Sequence, residues 1–296
     1  MEIQRDIPLA DYTSWLIGGK ADFFCLPKNA EEVEEAVRYA LANALPWTVL
    51  SGGSNVLVSD EGIAGLTICL RRMNGLQIVE SDDRVSIECL AGTGKSDLLK
   101  VFLKHKLAPA LFLAGLPGDV GGGVVMNAGV SEAMVPREFH EIVEWVEVLK
   151  IEGRDLRRVI LPKDDIRWSY RHSDGWQPGI VLRARLGWEK KADPEILNKV
   201  RDANRVRLSK QPLDMPSCGS VFVNPPGHKA AQLIDGCGLK GFKIGGAQVS
   251  LKHANFIVNT GGATARDVKG VIEHVRQTVK SQKGVELRTE VIWLGR

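Results

Sequence analysis

Two glycine clusters and a few polar side chains set beside them are where this sequence could do chemistry. The first cluster is Ser51-Gly52-Gly53-Ser54-Asn55. Consecutive amides in such a turn can point inward as an anion-binding nest, with serine and asparagine side chains adding donors. Taken alone, the same residues make an ordinary tight hairpin turn. The second cluster is residues 114–129, Ala-Gly-Leu-Pro-Gly-Asp-Val-Gly-Gly-Gly-Val-Val-Met-Asn-Ala-Gly. Its six glycines do not favour a helix interior, where each costs about 1 kcal/mol against alanine. They leave backbone bare enough to lie against a ring system or a diphosphate. The interleaved Leu, Val and Met residues point to a packed segment, so a cofactor-binding role is expected here.

Two single residues add to these. Arg171, in Tyr170-Arg171-His172-Ser173, carries a fork that suits a carboxylate or a developing oxyanion, although most arginines are merely solvated. Ser220 follows Gly219 and precedes the apolar Val221-Phe222-Val223, a position that can present a hydroxyl into a pocket. No Gly-x-Ser-x-Gly elbow surrounds it, which argues against a hydrolase nucleophile. By itself it reads as a serine satisfied by nearby backbone.

Length and composition bound the answer. The 296 residues suffice for two or three compact domains, and 44% hydrophobic with 25% charged residues is ordinary for a globular protein. A net charge of +3 gives no strong electrostatic case for nucleic acid or an anionic membrane. No apolar run is long enough to span a bilayer, and the first residues lack a signal-peptide core. Five scattered cysteines without a CxxC pair read as reduced thiols of a cytoplasmic protein, and six histidines show no metal spacing.

The elements that must position these groups alternate between helix and strand. A helix capped by Asn29 is expected to residue 43, with Val33, Ala36, Val37, Ala40 and Leu41 on one face. Residues 48–50 and 56–58 read as strands flanking the first glycine turn. A strand–turn–strand order is incompatible with the dinucleotide fingerprint, which needs a helix after the turn. Strands follow at 66–70, 76–79, 85–90, 142–149 and 180–186. A helix lies at 96–105, with Leu98, Leu99, Phe102 and Leu103 inward. A boundary is expected near 189–193. Asp193-Pro194 then opens a helix burying Ile196, Leu197, Val200, Ala203 and Val206. Thr264 and Gly284 bracket a last helix that buries Val268, Val271, Ile272, Val275 and Val279, and 286–294 reads as the final strand.

In order, these motifs resemble the UDP-N-acetylenolpyruvoylglucosamine reductase family over nearly the whole chain, from Thr13 to Leu294. The resemblance rests on Tyr12-Thr13-Ser14-Trp15 with Ile17-Gly18-Gly19, on both glycine clusters, and on Tyr170-Arg171-His172-Ser173 and Gly219-Ser220-Val221-Phe222. It extends through Lys240-Gly241, Ile244-Gly245-Gly246, Val249-Ser250, Lys252-His253-Ala254, Phe256-Ile257-Val258-Asn259 and Thr289-Glu290-Val291. The short connection after Tyr170-Arg171 and the Gln211-Pro212-Leu213-Asp214 segment look like the compact type II subgroup. The fold so implied is α+β: an FAD-binding module of the vanillyl-alcohol-oxidase/PCMH type in two subdomains (about 1–70 and 71–190), then an α/β substrate-binding domain at 191–296.

The resemblance implies an NADPH-dependent flavoenzyme of peptidoglycan precursor synthesis, and so of cell-wall biogenesis, cell shape and division. It would reduce UDP-N-acetylglucosamine enolpyruvate to UDP-N-acetylmuramate. The FAD pyrophosphate would rest on Gly52, Gly53, Ser54 and Asn55, and the isoalloxazine near Gly115, Gly118, Gly121, Gly122, Asn127, Ala128 and Gly129. No histidine stands in either segment, so non-covalent FAD is expected. Hydride from flavin N5 would reach the β-carbon of the enol ether. Arg171 would bind the carboxylate and stabilise enolate charge, Ser220 would protonate the α-carbon, and Glu290 would support the same region. Tyr170, Lys210 and Asn224 are expected to contact substrate. Small-molecule partners only, a monomer and no metal complete the expectation.

Three positions depart from the family's pattern: Ile292 where many members have arginine, Leu16 where a basic residue is common, and Ser131-Glu132-Ala133 after Asn-Ala-Gly. An oxygen-using flavin oxidase of the same fold and a non-catalytic nucleotide-sugar-binding regulator are the competing readings.

Overall fold

The computed structural model describes residues 1–130 and 135–296, so Ser131-Glu132-Ala133 lies outside the described residues. The chain forms two compact units. One comprises Met1–Ile3, Phe24–Gly52 and Leu66–Val206, and the other Gln4–Phe23, Gly53–Gly65 and Arg207–Arg296. The chain therefore passes between units inside the first glycine cluster, between Gly52 and Gly53.

The first unit is built on a five-stranded antiparallel sheet. Its order is Leu76–Glu80, Arg84–Leu90, Gly179–Glu189, Val143–Glu152, Asp155–Pro162. Residues 66–69 pair in parallel with Trp47–Leu50, and the helix Ala30–Ala42 is capped by the Asn29 side chain, which accepts from the Glu32 amide as expected. The helix Lys95–Lys104 buries Leu98, Val101 and Phe102 together with Lys95, while the expected Leu99 and Leu103 are half-buried.

Residues 120–125 are the main departure. The glycine segment contains a short helix, Val120–Val125, with three glycines inside it. Close packing and capping outweigh propensity. A Cβ at Gly123 would lie 2.7 Å from the Phe139 ring, and one at Gly121 would lie 3.1 Å from the Ala91 Cβ. The Asp119 carboxylate caps the helix by accepting from the Gly122 amide at 3.0 Å.

The second unit centres on the helix Ala265–Lys283, which buries Val268, Val271, Ile272, Val275 and Val279 as the sequence predicts. Each such aliphatic side chain contributes about 1.5–3 kcal/mol on burial. Thr264 and Asp267 form the reciprocal capping box, and Gly284 ends the helix at φ +68. The helix packs with a three-stranded antiparallel sheet, Lys243–Ile244, Ala247–Val249 and Ile257–Asn259, around a core that includes Trp15, Leu57 and Val221.

Two expectations are corrected. The helix predicted from Pro194 runs Ile196–Lys210 and buries only Ile196 and Val200, while Leu197 and Val206 are 45% and 51% exposed. The boundary between the two units falls within this helix, between Val206 and Arg207. The strand expected over 286–294 is confined to Ile292–Leu294, which pairs in parallel with Val56–Val58. Its upstream half changes partner: the Glu290 amide donates to Val221 at 2.8 Å and Thr289 bridges Phe222, whereas the Ile292 amide donates to Asn55 at 3.0 Å.

Candidate functional site

In the first unit the two glycine clusters meet. A Cβ at Gly52 would lie 3.1 Å from the Gly118 Cα and 3.2 Å from an Asp119 carboxylate oxygen. Ser51 Oγ donates to Asp119 Oδ2 at 2.6 Å, and Arg71 Nη2 donates to the Gly52 carbonyl at 3.2 Å. The turn is thus fixed by side chains on either side of it. Gly118 adopts φ +85, and its carbonyl accepts from the Lys95 amide at 3.1 Å. Gly115 closes the helix Pro109–Ala114. Gly122 would find only an Asp119 oxygen, at 3.2 Å, around an added Cβ. Gly52 and Gly122 carry no side chain and are only half-buried, which fits the close approach of a ring system or a diphosphate.

Lys95 lies under this segment, 3% exposed. Its ammonium donates to the Pro117 carbonyl at 2.9 Å and lies 5.5 Å from the centre of the Phe139 ring. Burial pushes its pKa down to about 8; the Asp119 charge opposes this and the Arg171 charge adds to it. Sequence reading missed Lys95, Arg71 and Asp119. The signal for Lys95 was a lysine on the apolar face of an amphipathic helix.

Arg171 stands at the tip of a two-residue turn between Arg167–Ser169 and His172–Asp174, in the left-handed region at φ +56. Its Nη2 donates to the Gly129 carbonyl at 3.0 Å, and its guanidinium lies 4.7 Å from the Tyr170 ring centre. Tyr170 is 53% exposed. Gly129 has to be glycine: a Cβ there would lie 2.5 Å from Arg171 Nη1 and 2.8 Å from the Arg137 carbonyl.

Asn127 is fully buried at φ +37. Its amide donates to Glu138 Oε2 and to the Ser169 carbonyl, both at 3.0 Å, and its oxygen accepts from the His140 amide at 3.1 Å. Both donors are engaged within the unit, so its side chain braces the base of the Arg171 turn. Ala128 contributes backbone only, accepting from the Phe139 amide at 2.8 Å.

In the second unit Asn55, Ser220 and Glu290 come together. The Ser220 segment runs beside 288–290. Glu290 donates its amide to Val221, Val223 donates to Arg288, and Asn255 pins Phe222 from the other side at 2.9 Å. Asn55 Nδ2 donates to the Glu290 carbonyl at 2.9 Å. Gly219, at φ +85 with nothing within 4 Å of an added Cβ, sets the turn that presents Ser220. Beside it, burial pushes the Cys218 thiol pKa far up, and the Glu290 charge adds to the shift. Gly53 adopts φ +65, and a Cβ there would lie 2.0 Å from the Tyr12 carbonyl. Asn224 Oδ1 accepts from the Ala230 amide at 3.0 Å and so caps the helix Ala230–Asp235. Lys210 is exposed at the end of its helix. Ile292 is 43% exposed.

All five cysteines are free, four of them buried. Among the described residues no group of three or more His, Cys, Asp or Glu could hold a metal ion, and no helix is long and apolar enough to cross a membrane.

The region that carries both glycine clusters belongs to a recognised class. Residues 21–157 match the family described as FAD binding domain, and the chain is a flavoprotein by fold. Residues 211–294 match the family described as UDP-N-acetylenolpyruvoylglucosamine reductase, C-terminal domain. The reductase of that name from Synechococcus sp. (strain RCC307) is 40% identical, over 100% of this chain and 95% of its own length. That from Listeria innocua is 41% identical, over 99% and 95%. The crystal structure of the UDP-N-acetylenolpyruvylglucosamine reductase (MurB) from Thermus caldophilus superposes with a TM-score of 0.78 at 32% identity, covering 99% of both chains. The chain belongs to the UDP-N-acetylenolpyruvoylglucosamine reductase family. Its fold is accordingly α+β, an FAD-binding module followed by that family's C-terminal domain.

Proposed function

We propose that the chain is the flavoenzyme that reduces UDP-N-acetylglucosamine enolpyruvate to UDP-N-acetylmuramate in peptidoglycan precursor synthesis, with NADPH as electron donor. The observation that carries this is full-length similarity at about 40% identity to reductases of that name, with a flavin-binding and a C-terminal match in one chain.

FAD, held non-covalently, supplies the hydride when bound. The chain's own residues do the rest. Gly52, Gly53, Ser54 and Asn55 hold the cofactor's diphosphate, and the segment carrying Gly115, Gly118, Gly121, Gly122, Ala128 and Gly129 receives its ring. Asn127 serves that segment from within, through the bonds that brace it. Arg171 pairs with the substrate carboxylate and stabilises the charge that develops there as the double bond is reduced. Ser220 Oγ donates the proton to the α-carbon; its weak acidity suffices against a basic carbanion at contact distance. Glu290, whose backbone is bonded to Val221, supports the same enolate. Tyr170, Lys210 and Asn224 contact the nucleotide sugar, and Asn224 has its amide nitrogen to offer because its oxygen caps a helix. In this reading residues 1–190 serve the flavin and 191–296 the substrate. The protein acts as a cytoplasmic monomer on small molecules alone.

The test is NADPH oxidation under anaerobic conditions, with and without the enolpyruvyl substrate, in FAD-loaded protein. Substrate-dependent oxidation is expected; its absence in folded, FAD-loaded protein overturns the reading. Ser220→Ala should slow reoxidation of the reduced flavin by substrate by about 100-fold or more, in the range of a lost general acid. It should leave reduction by NADPH within about twofold. Equal loss in both half-reactions removes Ser220 from the proton-donor role.

A further inference from the structure

Ser14 sits between two residues whose side chains are tied down. The buried Thr13 donates its hydroxyl to the Ile17 carbonyl at 2.8 Å, and the fully buried Trp15 donates Nε1 to the Ile257 carbonyl at 2.7 Å. The Ser14 amide itself donates to the Gly53 carbonyl at 3.0 Å. Yet Ser14 Oγ is shut off from solvent and has no hydrogen-bond partner. A hydroxyl buried in this way forfeits its hydration and gains nothing in exchange.

What lies next to it suggests the missing partner. Gly53 is in the left-handed region at φ +65, so close to this segment that a Cβ would meet the Tyr12 carbonyl at 2.0 Å and the Thr13 Cα at 3.0 Å. Successive amides turned by such a residue make an anion nest. Asn55, the turn's amide side chain, already donates to the Glu290 carbonyl. Three other buried polar atoms lack a hydrogen bond among the described residues: those of Thr67, His105 and Arg185. His105 and Arg185 each face a carboxylate, Glu80 at 3.7 Å and Glu144 at 2.9 Å. Thr67 lies inside the strand Ile63–Cys69. Ser14 is the one set beside a turn built for an anion.

We infer that the Ser14 hydroxyl is a ligand of the bound flavin's diphosphate, donating a hydrogen bond to a phosphate oxygen held at residues 53–55. This rests on the FAD reading above and adds a residue to its site. Because the hydroxyl is unsatisfied without cofactor, removing it acts in opposite directions on stability and on binding. Flavin-free Ser14→Ala should unfold at the same temperature as flavin-free wild type or higher. Its FAD affinity, read by quenching of flavin fluorescence, should fall about 10- to 100-fold, the range for a lost hydrogen bond to a charged group. Ser14→Thr, which keeps the hydroxyl, should retain most of the affinity. Riboflavin, which has no phosphate, should bind wild type and Ser14→Ala alike.

Equal FAD affinity in wild type and Ser14→Ala overturns the inference. So does an equal loss for riboflavin, which would mark a general structural defect. A wild-type protein that takes up no FAD defeats the underlying reading instead, and the two failures are told apart by that control.

Discussion

Replacing Lys95 by methionine should make the flavin-free protein more stable near neutral pH, although it removes a hydrogen bond. Lys95 is 3% exposed, its pKa is pushed by burial from the ordinary 10.5 to about 8, and the one bond its ammonium is given is to the Pro117 carbonyl. A depression of roughly 2.5 units, at about 1.4 kcal/mol per unit, means about 3 kcal/mol of stability forgone while the lysine is charged. The lost bond returns about 1 kcal/mol of that, so Lys95→Met should gain about 2 kcal/mol near pH 7. Methionine is unbranched and fills the same channel without overpacking.

The pH dependence follows from the sign of the shift. A lysine whose folded pKa lies below its unfolded value sheds its proton first in the folded chain. Between about pH 8 and 10.5 the unfolded chain binds more protons, so wild-type stability climbs across that window and the full penalty applies below it. The advantage of Lys95→Met should therefore be largest at neutral pH and vanish, or reverse, by pH 10.5. Urea unfolding midpoints of both proteins, followed by far-UV circular dichroism at several pH values, read this directly. Midpoints are preferred to extrapolated free energies because a chain of two units need not unfold in one step. A variant less stable than wild type at neutral pH, or a wild-type curve flat from pH 8 to 10.5, would refute the reasoning. Either result would mean that the Asp119 charge compensates the buried ammonium almost fully.

Two further substitutions probe the glycine turn and the Arg171 brace. Gly53→Ala combines a left-handed φ with a Cβ 2.0 Å from the Tyr12 carbonyl, so backbone must move. Thermal unfolding should report a loss above about 2 kcal/mol, and a wild-type melting curve would contradict the close approach. Asn127→Ala removes a fully buried side chain and strips the Ser169 carbonyl and the His140 amide of part-buried hydrogen bonds. It should cost about 2–4 kcal/mol and raise the substrate KM more than it lowers kcat, because it loosens the turn carrying Arg171. An unchanged KM in steady-state assays would detach Asn127 from that residue.

What the sequence made legible was local. The Thr264 capping box, the Gly284 terminator and the buried face between them depend on residues within one helix, and all appear as read. The Asn29 cap is of the same kind. What escaped depends on partners far along the chain. Ser51 finds Asp119 across 68 residues, and Asp60 caps the helix of Ala265 and Arg266 from 205 residues away. The strand over 286–294 splits because its two halves pair with segments 221–223 and 56–58, a division invisible in its apolar pattern. The glycines of residues 121–123 pointed away from helix because propensity was weighed without Phe139, which leaves no room for a Cβ at Gly123, and Ala91, which crowds one at Gly121.

Arg171 shows why the site was more legible than its support. Residue type marked it, since a fork beside an aromatic suits a carboxylate, but nothing local says how a strained turn holds it. Asn127 and Arg171 are both non-glycine residues at positive φ, +37 and +56, each a conformation that costs on the order of 1–3 kcal/mol unless surroundings impose it. Each is tied to the other's segment. Asn127 grips the carbonyl of Ser169, at the foot of the Arg171 turn, while Arg171 grips the carbonyl of Gly129, two residues beyond Asn127. The two side chains run in opposite senses between the same two segments and hold them as a clasp. Gly129 is glycine so that this clasp can close, since a Cβ would occupy the guanidinium's place. Strain that looks like a cost at either residue alone is therefore the geometry that ties one N–H of the guanidinium to the Gly129 carbonyl before any anion arrives. The reorganisation a flexible surface arginine would need is thereby reduced.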